Sequence, residues 1–312
     1  MSDKEILQGY NARLRAIDAI VDGLPSQLKL IIDDNAETVN GDLKLKSVTG
    51  LNHAYGAIPY AFYNGRAVAL DGEIHLLGDY NNSTYHYKWN GKEYVSVSAL
   101  PYYFRYGCAV VLNGEIHILG SNVDGYQTKH YKWTGSEWVS VSTLPFSFTG
   151  GSAVVLNGEI HIMGGGNGTT NHYKWNGISW TTVSTLPFGL NNGDAVVLDG
   201  EIHIFGGSIN TTAHYKFNGS TWVSVSSLPY QFNQGAGVVL NGEIHLLGGN
   251  SNNGKHYKYN GSAWVNVATL PYQFNQGAGV VCNNNIHILG GYENTYNKHH
   301  YMVQGTLYER AV

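Results

Sequence analysis

The tetrapeptide Gly-Glu-Ile-His occurs five times in this chain and once more in degenerate form, placing histidines at His75, His117, His161, His203, His245 and His287. The steps between them are 42, 44, 42, 42 and 42 residues. A period of this size restricts the fold to an array of one small supersecondary unit, because each copy must bury its apolar face against the next. Two further signals run in phase. His-Tyr recurs at Tyr87, Tyr131, Tyr173, Tyr215, Tyr257 and Tyr301, each followed seven residues later by an aromatic: Tyr94, Trp138, Trp180, Trp222, Trp264 and Tyr308. A proline-aromatic pair precedes every unit, at Pro59, Pro101, Pro145, Pro187, Pro229 and Pro271. Six units therefore cover residues 58 to 312.

Each unit reads as four short strands. In the fifth, Ala236 to Leu240 turns at Asn241-Gly242 into Glu243 to Leu247, and Gly248-Gly249 ends that strand. Lys255 to Tyr259 follows, then Asn260-Gly261 and a fourth strand from Trp264 to Val267. Asn-Gly between apolar or alternating runs signals a hairpin, since a type I′ turn needs positive φ at both central residues. Four antiparallel strands at this period, without helical periodicity, predict an all-β chain forming a six-bladed β-propeller. Apolar strands ending in Gly-Gly, followed by Tyr and then Trp, resemble kelch repeats over about four fifths of the chain. Gly78-Asp79, Gly120-Ser121, Tyr94 and Tyr308 depart from that pattern. Five outer strands lie between units. The sixth is expected from the C-terminal segment Thr306 to Val312, with Asp42 to Val48 as a rival.

The repeat also accounts for an unusual composition, with 40 Gly, 23 Tyr and only 13% charged residues. The formal charge of -4, with 18 Lys and Arg scattered singly, argues against nucleic acid as a partner. No apolar run reaches the roughly 18 residues of a membrane span, and residues 1 to 10 lack signal-peptide character. The expectation is a protein made in a cytoplasm, without membrane insertion. Cys108 and Cys282 form no metal-ligand spacing. Of 14 histidines, only His53 and His299 fall outside the two repeat positions. The periodic set reads as core or inter-blade packing, and neither a metal nor another cofactor is expected.

The two faces of such a disc differ. One carries tight turns that are alike in every blade. The other receives the longer second-to-third loops, which diverge in sequence, and the connections between blades. Divergence among internal copies marks this face as the place where a partner binds. Its amides, hydroxyls and aromatic rings suit a neutral, hydroxyl-rich ligand, a host-surface glycan, with a host-surface protein as the other candidate partner. Tyr63, Arg105, Asn191, Asn233 and Asn275 are expected to rim the channel mouth. Tyr80, Tyr103, Tyr106, Tyr126, Gln234, Gln276, Tyr292 and Tyr296 complete the candidate contacts. The first aromatics after the prolines, such as Tyr60 and Tyr102, read instead as plugs between blades. At the first position of the inner strand the units carry Arg66, Cys108, Ser152, Asp194, Ala236 and Ala278. Arg66 and Asp194 belong to opposite blades and form either a central salt bridge or an axial ligand site.

Residues 1 to 45 lie outside the propeller region, 46 to 312. Leu7, Tyr10, Leu14, Ile17, Val21 and Leu24 follow heptad spacing and predict a short α-helix, stopped by Pro25. It either self-associates as a coiled coil or lies on the propeller. A short helix, a polar linker and a Gly- and Asn-rich β domain resemble bacteriophage tail proteins and receptor-binding adhesins. That resemblance implies a homotrimer mounted on a particle and attached to a host surface. Copper radical oxidases and sialic acid epimerases are enzymes among the kelch propellers. Here neither cysteine lies in the variable loops, Asp boxes are absent, and Asp79, Asp124 and Glu293 are dispersed rather than paired. A binding module is therefore expected, with a sugar epimerase-like enzyme using Arg66, Asp194 and a loop histidine, or a protein-interaction scaffold, as the alternatives.

Overall fold

The computed structural model describes residues 57–303 except 82, 167, 209–211, 250–253 and 294, together with the backbone of strands 36–39, 42–45 and 52–54. The main body is a ring of six four-stranded antiparallel sheets. In the first blade these strands are Arg66–Leu70, Glu73–Leu77, His86–Trp89 and Tyr94–Ser96, paired in chain order from the axis outward. Each innermost strand packs beside that of the next blade, and the sixth, Ala278–Cys282, packs beside the first. No helix occurs among the described residues. The predicted helix bearing Leu7, Tyr10, Leu14, Ile17, Val21 and Leu24 lies outside them.

The turns explain the register. All six first-to-second connections place both central residues at positive φ, as at Asp71 (51°) and Gly72 (77°), which is type I′ geometry. The third-to-fourth connections work differently. In the first blade only Gly91 is left-handed, and the Asn90 side chain accepts the backbone N–H groups of Lys92 and Glu93 at 3.0 and 2.9 Å. Asn176, Asn218 and Asn260 repeat this bond pattern.

The apolar residues form six seams, each filled by two neighbouring blades. Val68 and Leu77 of the first blade meet Phe104, Ile116, Ile118 and Trp133 of the second, and the final seam joins Val280 and Leu289 to Phe62, Ile74 and Trp89. Gly78 shows how tightly these seams close, because a Cβ there would lie 1.9 Å from the carbonyl oxygen of Phe104 in the next blade. That approach explains why the first glycine of each pair persists, whereas the second gives way to Asp79 and Ser121. The plug tyrosines Tyr60, Tyr102, Tyr230 and Tyr272 donate their hydroxyls to the carbonyl of that first glycine in their own blade.

Ring closure corrects the sequence expectation. The outer strand of the sixth blade is Asn52–Ala54, which pairs with His300–Val303 in the register Val303 to Asn52. Asp42–Leu45 is engaged elsewhere, in a hairpin with Ala36–Val39, and Thr306 to Val312 lies outside the described residues. A strand from before the first blade thus completes the last one, tying the two ends of the propeller together through backbone hydrogen bonds.

Candidate ligand site at the axial mouth

Immediately before each inner strand the chain carries a residue followed by glycine. These six leading residues, Asn64, Tyr106, Gly150, Asn192, Gln234 and Gln276, all have φ between 51° and 68°. Asn and Gly tolerate this left-handed region best. The conformation turns each peptide along the circumference, so that the backbones join head to tail. Asn64 N–H donates to Gln276 O at 2.7 Å, Tyr106 to Asn64 at 2.9 Å, Gly150 to Tyr106 at 2.7 Å, Asn192 to Gly150 at 2.7 Å, Gln234 to Asn192 at 2.9 Å and Gln276 to Gln234 at 2.7 Å. A closed collar of six backbone hydrogen bonds rings the axis on the variable-loop face.

With the collar's backbone groups engaged in this way, its side chains carry the chemistry of the mouth. Gln276 donates its amide to Gln234 Oε1 at 3.1 Å, and Asn64 donates to Gln276 Oε1 at 3.3 Å. Beneath them lies a small, solvent-open cavity of about 90 Å³. Its polar lining is Asn64, Arg66, Tyr106, Asn192, Asp194, Gln234 and Gln276, and glycines and alanines such as Ala236 and Ala278 form the remaining wall. Four amides, a phenol, a guanidinium and a carboxylate therefore converge on one space.

The layer below the collar is where Arg66 and Asp194 were expected to meet. They do not form an ion pair. Asp194 accepts the N–H of Ala195 on one oxygen and that of Gly237, in the next blade, on the other, both at 2.8 Å. Burial pushes its carboxyl above the usual range, while those N–H groups and the positive charge of Arg66 oppose the rise. Cys108 and Ser152 likewise donate to the carbonyls of Gly151 and Gly193 in the following blades. Polar side chains in this layer thus stitch adjacent blades together. Arg66 donates to the Gly65 carbonyl at 3.0 Å and borders the cavity.

The other sequence candidates fall into two groups. Tyr106, Gln234 and Gln276 belong to the mouth. Tyr63, Arg105, Asn191, Asn233 and Asn275, expected at the rim, each precede a collar residue; Tyr63, Arg105 and Asn275 engage loop residues, whereas the Asn191 amide lies against Gly150 of the collar. Tyr63 is buried and stacks on Tyr80 with ring centres 5.0 Å apart. The Arg105 guanidinium lies 4.8 Å from the centre of the Tyr80 ring and donates to Asn122 Oδ1 and to the Tyr80 carbonyl. Asn275 donates to the Tyr292 carbonyl at 3.0 Å, the Asn191 carbonyl accepts the Ser208 N–H at 2.8 Å, and Asn233 Oδ1 is buried. Tyr126 stacks on the plug Tyr102 at 5.2 Å and meets exposed Tyr103 edge-on at 6.4 Å. Tyr292 and Tyr296 face each other in a two-residue ladder. Asn64 and Asn192 were missed. The signal that could have found them was the residue-plus-glycine step before every inner strand, where Asn or Gly marks a left-handed backbone.

The periodic histidines are buried between blades as expected, but in an arrangement that spacing alone did not reveal. In every blade the two repeat histidines bond to each other, Nδ1 to Nε2, at 2.7 to 2.9 Å. His214 Nδ1 lies 3.3 Å from the Ser226 carbonyl, which can only accept, so His214 Nε2 must in turn accept from His203 Nδ1–H. Burial, followed by the partner's charge, lowers the second histidines to about 3 in five blades and about 4 at His214. The first histidines fall to about 4 from His117 onward, and His75 is also lowered. Among the described residues, each second histidine except His256 has a ring contact with aromatics of the next blade, as His86 has with Trp133 and Trp138 at 5.3 and 5.5 Å.

No protein-family profile and no curated protein matches the chain. Solved structures do match it. One is the structure of YjhT, which superposes with a TM-score of 0.69 at 14% identity and covers 81% of this chain and 97% of its own. At that identity the likeness establishes the architecture, a six-bladed β-propeller.

Proposed function

We propose that the protein is a recognition module whose variable-loop face binds a neutral, hydroxyl-rich ligand, a glycan, at the axial mouth. The amide collar above the cavity carries this reading. Asn and Gln offer both donor and acceptor on one planar group, which matches the dual character of sugar hydroxyls, and the closed backbone ring holds these groups in place before a ligand arrives. Asp194 engages two backbone N–H groups, consistent with its serving the blade seam. A glycan array probed with the full chain is expected to give selective signal that disappears when Gln234 and Gln276 are both replaced by glycine.

The enzymatic alternative rests on the burial-raised carboxyl of Asp194 sharing a cavity with Arg66. Conversion of a free sugar, followed by NMR, would replace the binding reading with that one. The proposed setting remains a phage tail or similar particle presenting the propeller to a host surface as a homotrimer. For the assembly part, light scattering should give the full chain about three times the mass of a version starting at Ala36. Equal monomer masses would remove it.

A further inference from the structure

Aromatic exposure on the loop face is uneven. Among the described residues, its exposed rings are Tyr80, Tyr85 and Tyr103, in and beside the loops of the first two blades, and Tyr292 in the sixth. These three blades are contiguous around the ring, since the sixth closes on the first. The described loop residues of the third, fourth and fifth blades include no exposed aromatic ring.

The arc connects directly to the mouth. Tyr63, which stacks on Tyr80, precedes Asn64. Arg105, which spans Tyr80 and Asn122, precedes Tyr106. Asn275, bonded to the Tyr292 backbone by both its side chain and its carbonyl, precedes Gln276. Each step is one residue, about 3.8 Å between Cα atoms. The ring of Tyr103 is braced by Tyr126, which in turn rests on buried Tyr102. Rings held in this way lose little freedom on binding.

From this continuity we infer that the site is longer than the axial cavity: its ligand is an oligosaccharide, with one sugar over the amide collar and further sugars running outward onto Tyr103 and Tyr292. The inference rests on the glycan reading above and adds a chain-length requirement. A polar collar recognises hydroxyls at one unit, while flanking tyrosines stack on the apolar faces of the next.

The test is a ladder of maltose-series and N-acetylglucosamine-series oligosaccharides, one to six units long, titrated against the full chain. Affinity is expected to rise roughly tenfold between one and three units on the ladder that binds, a change of about 1.4 kcal/mol. Tyr103→Ala and Tyr292→Ala should remove that gain, whereas Ile178→Ala, at an exposed turn on the opposite face, should bind like the parent chain. Equal affinity at every length, or a gain that survives both tyrosine substitutions, would overturn the extended site. Silence on both ladders and on a glycan array would instead sink the glycan reading, and this extension with it.

Discussion

The seams between blades and the axial mouth are cut from the same six-fold repeat, yet they treat it in opposite ways. At the seams the copies agree, since all six hold a histidine pair, and within the blades five also hold a partly exposed Glu–Lys pair, from Lys88–Glu73 at 2.8 Å to Lys258–Glu243 at 2.9 Å. At the mouth only the backbone agrees. The collar bonds are the same in all six blades, but the side chains range from glycine to tyrosine, and the layer beneath ranges from alanine to arginine. Packing explains the agreement, because a seam side chain touches two sheets at once. It does not require the variety at the mouth, where one blade already functions structurally with Gly150. Side chains that the fold leaves free to vary, gathered around one cavity, are the ones available for recognition.

Acid should break this contrast most severely. A histidine whose folded pKa lies below the ordinary 6.5 binds its proton more readily in the unfolded chain, so stability is complete above about pH 6.5 and falls as pH drops toward 4. Each pair is charge-sensitive in its own setting. Around His75, Glu73 and Asp71 favour protonation, while burial and Lys88 oppose it. Each neutral, buried histidine contributes a slope of up to about 1.4 kcal/mol per pH unit, and the twelve act together. Circular dichroism during acid titration should show cooperative unfolding between about pH 6 and 4.5, with uptake of roughly ten protons. A propeller intact at pH 4 would contradict the burial of these pairs.

A smaller effect separates the seams themselves. Where other blades place Trp, Phe or Tyr at the end of the third strand and Trp or Tyr opposite it, the sixth blade has Val303 paired with Asn52. The preceding histidine, His256, therefore has no ring of the next blade against it among the described residues, unlike His130 and His172. Local opening should therefore begin here. Hydrogen exchange is expected to be at least about tenfold faster in Lys255–Tyr259 and His300–Val303 than in the corresponding strands of the second and third blades. Uniform protection would show that the missing aromatics do not matter.

The smallest effect belongs to the Glu–Lys pairs, which are partly exposed and worth about 0 to 1 kcal/mol each. The sixth blade has lost both partners together, to Asn285 and Met302. Transplanting that solution as Glu159→Asn with Lys174→Met should leave the melting temperature nearly unchanged. Lys174→Met alone should cost slightly more than the double change.

How much of this was legible beforehand follows from what each feature depends on. The hairpins could be read because Asp71-Gly72 and its counterparts encode positive φ locally. Histidine burial could be read from period, but the pairing could not. It depends on the register that sets Leu77 opposite His86 and brings His75 diagonally across from it. The closing strand was misassigned because Asn52–Ala54 carries neither the His-Tyr step nor the aromatic of an outer strand; only backbone pairing selects it. Most of the rim was displaced by one residue for a similar reason, Asn191 beside Gly150 being the exception. Side-chain direction at Tyr63 and Asn64 depends on the left-handed turn between them and the strand, and polarity alone does not report it.

The central claim is that the mouth side chains recognise a ligand and contribute little to the fold. Replacing Gln234 and Gln276 together by glycine tests it most directly, since glycine suits their φ of 60° and 56° and Gly150 already occupies the equivalent place. Thermal melting and glycan-array binding measured on the same preparation should show an unchanged midpoint and a lost signal. Retained binding, or binding lost only together with the fold, would contradict the account.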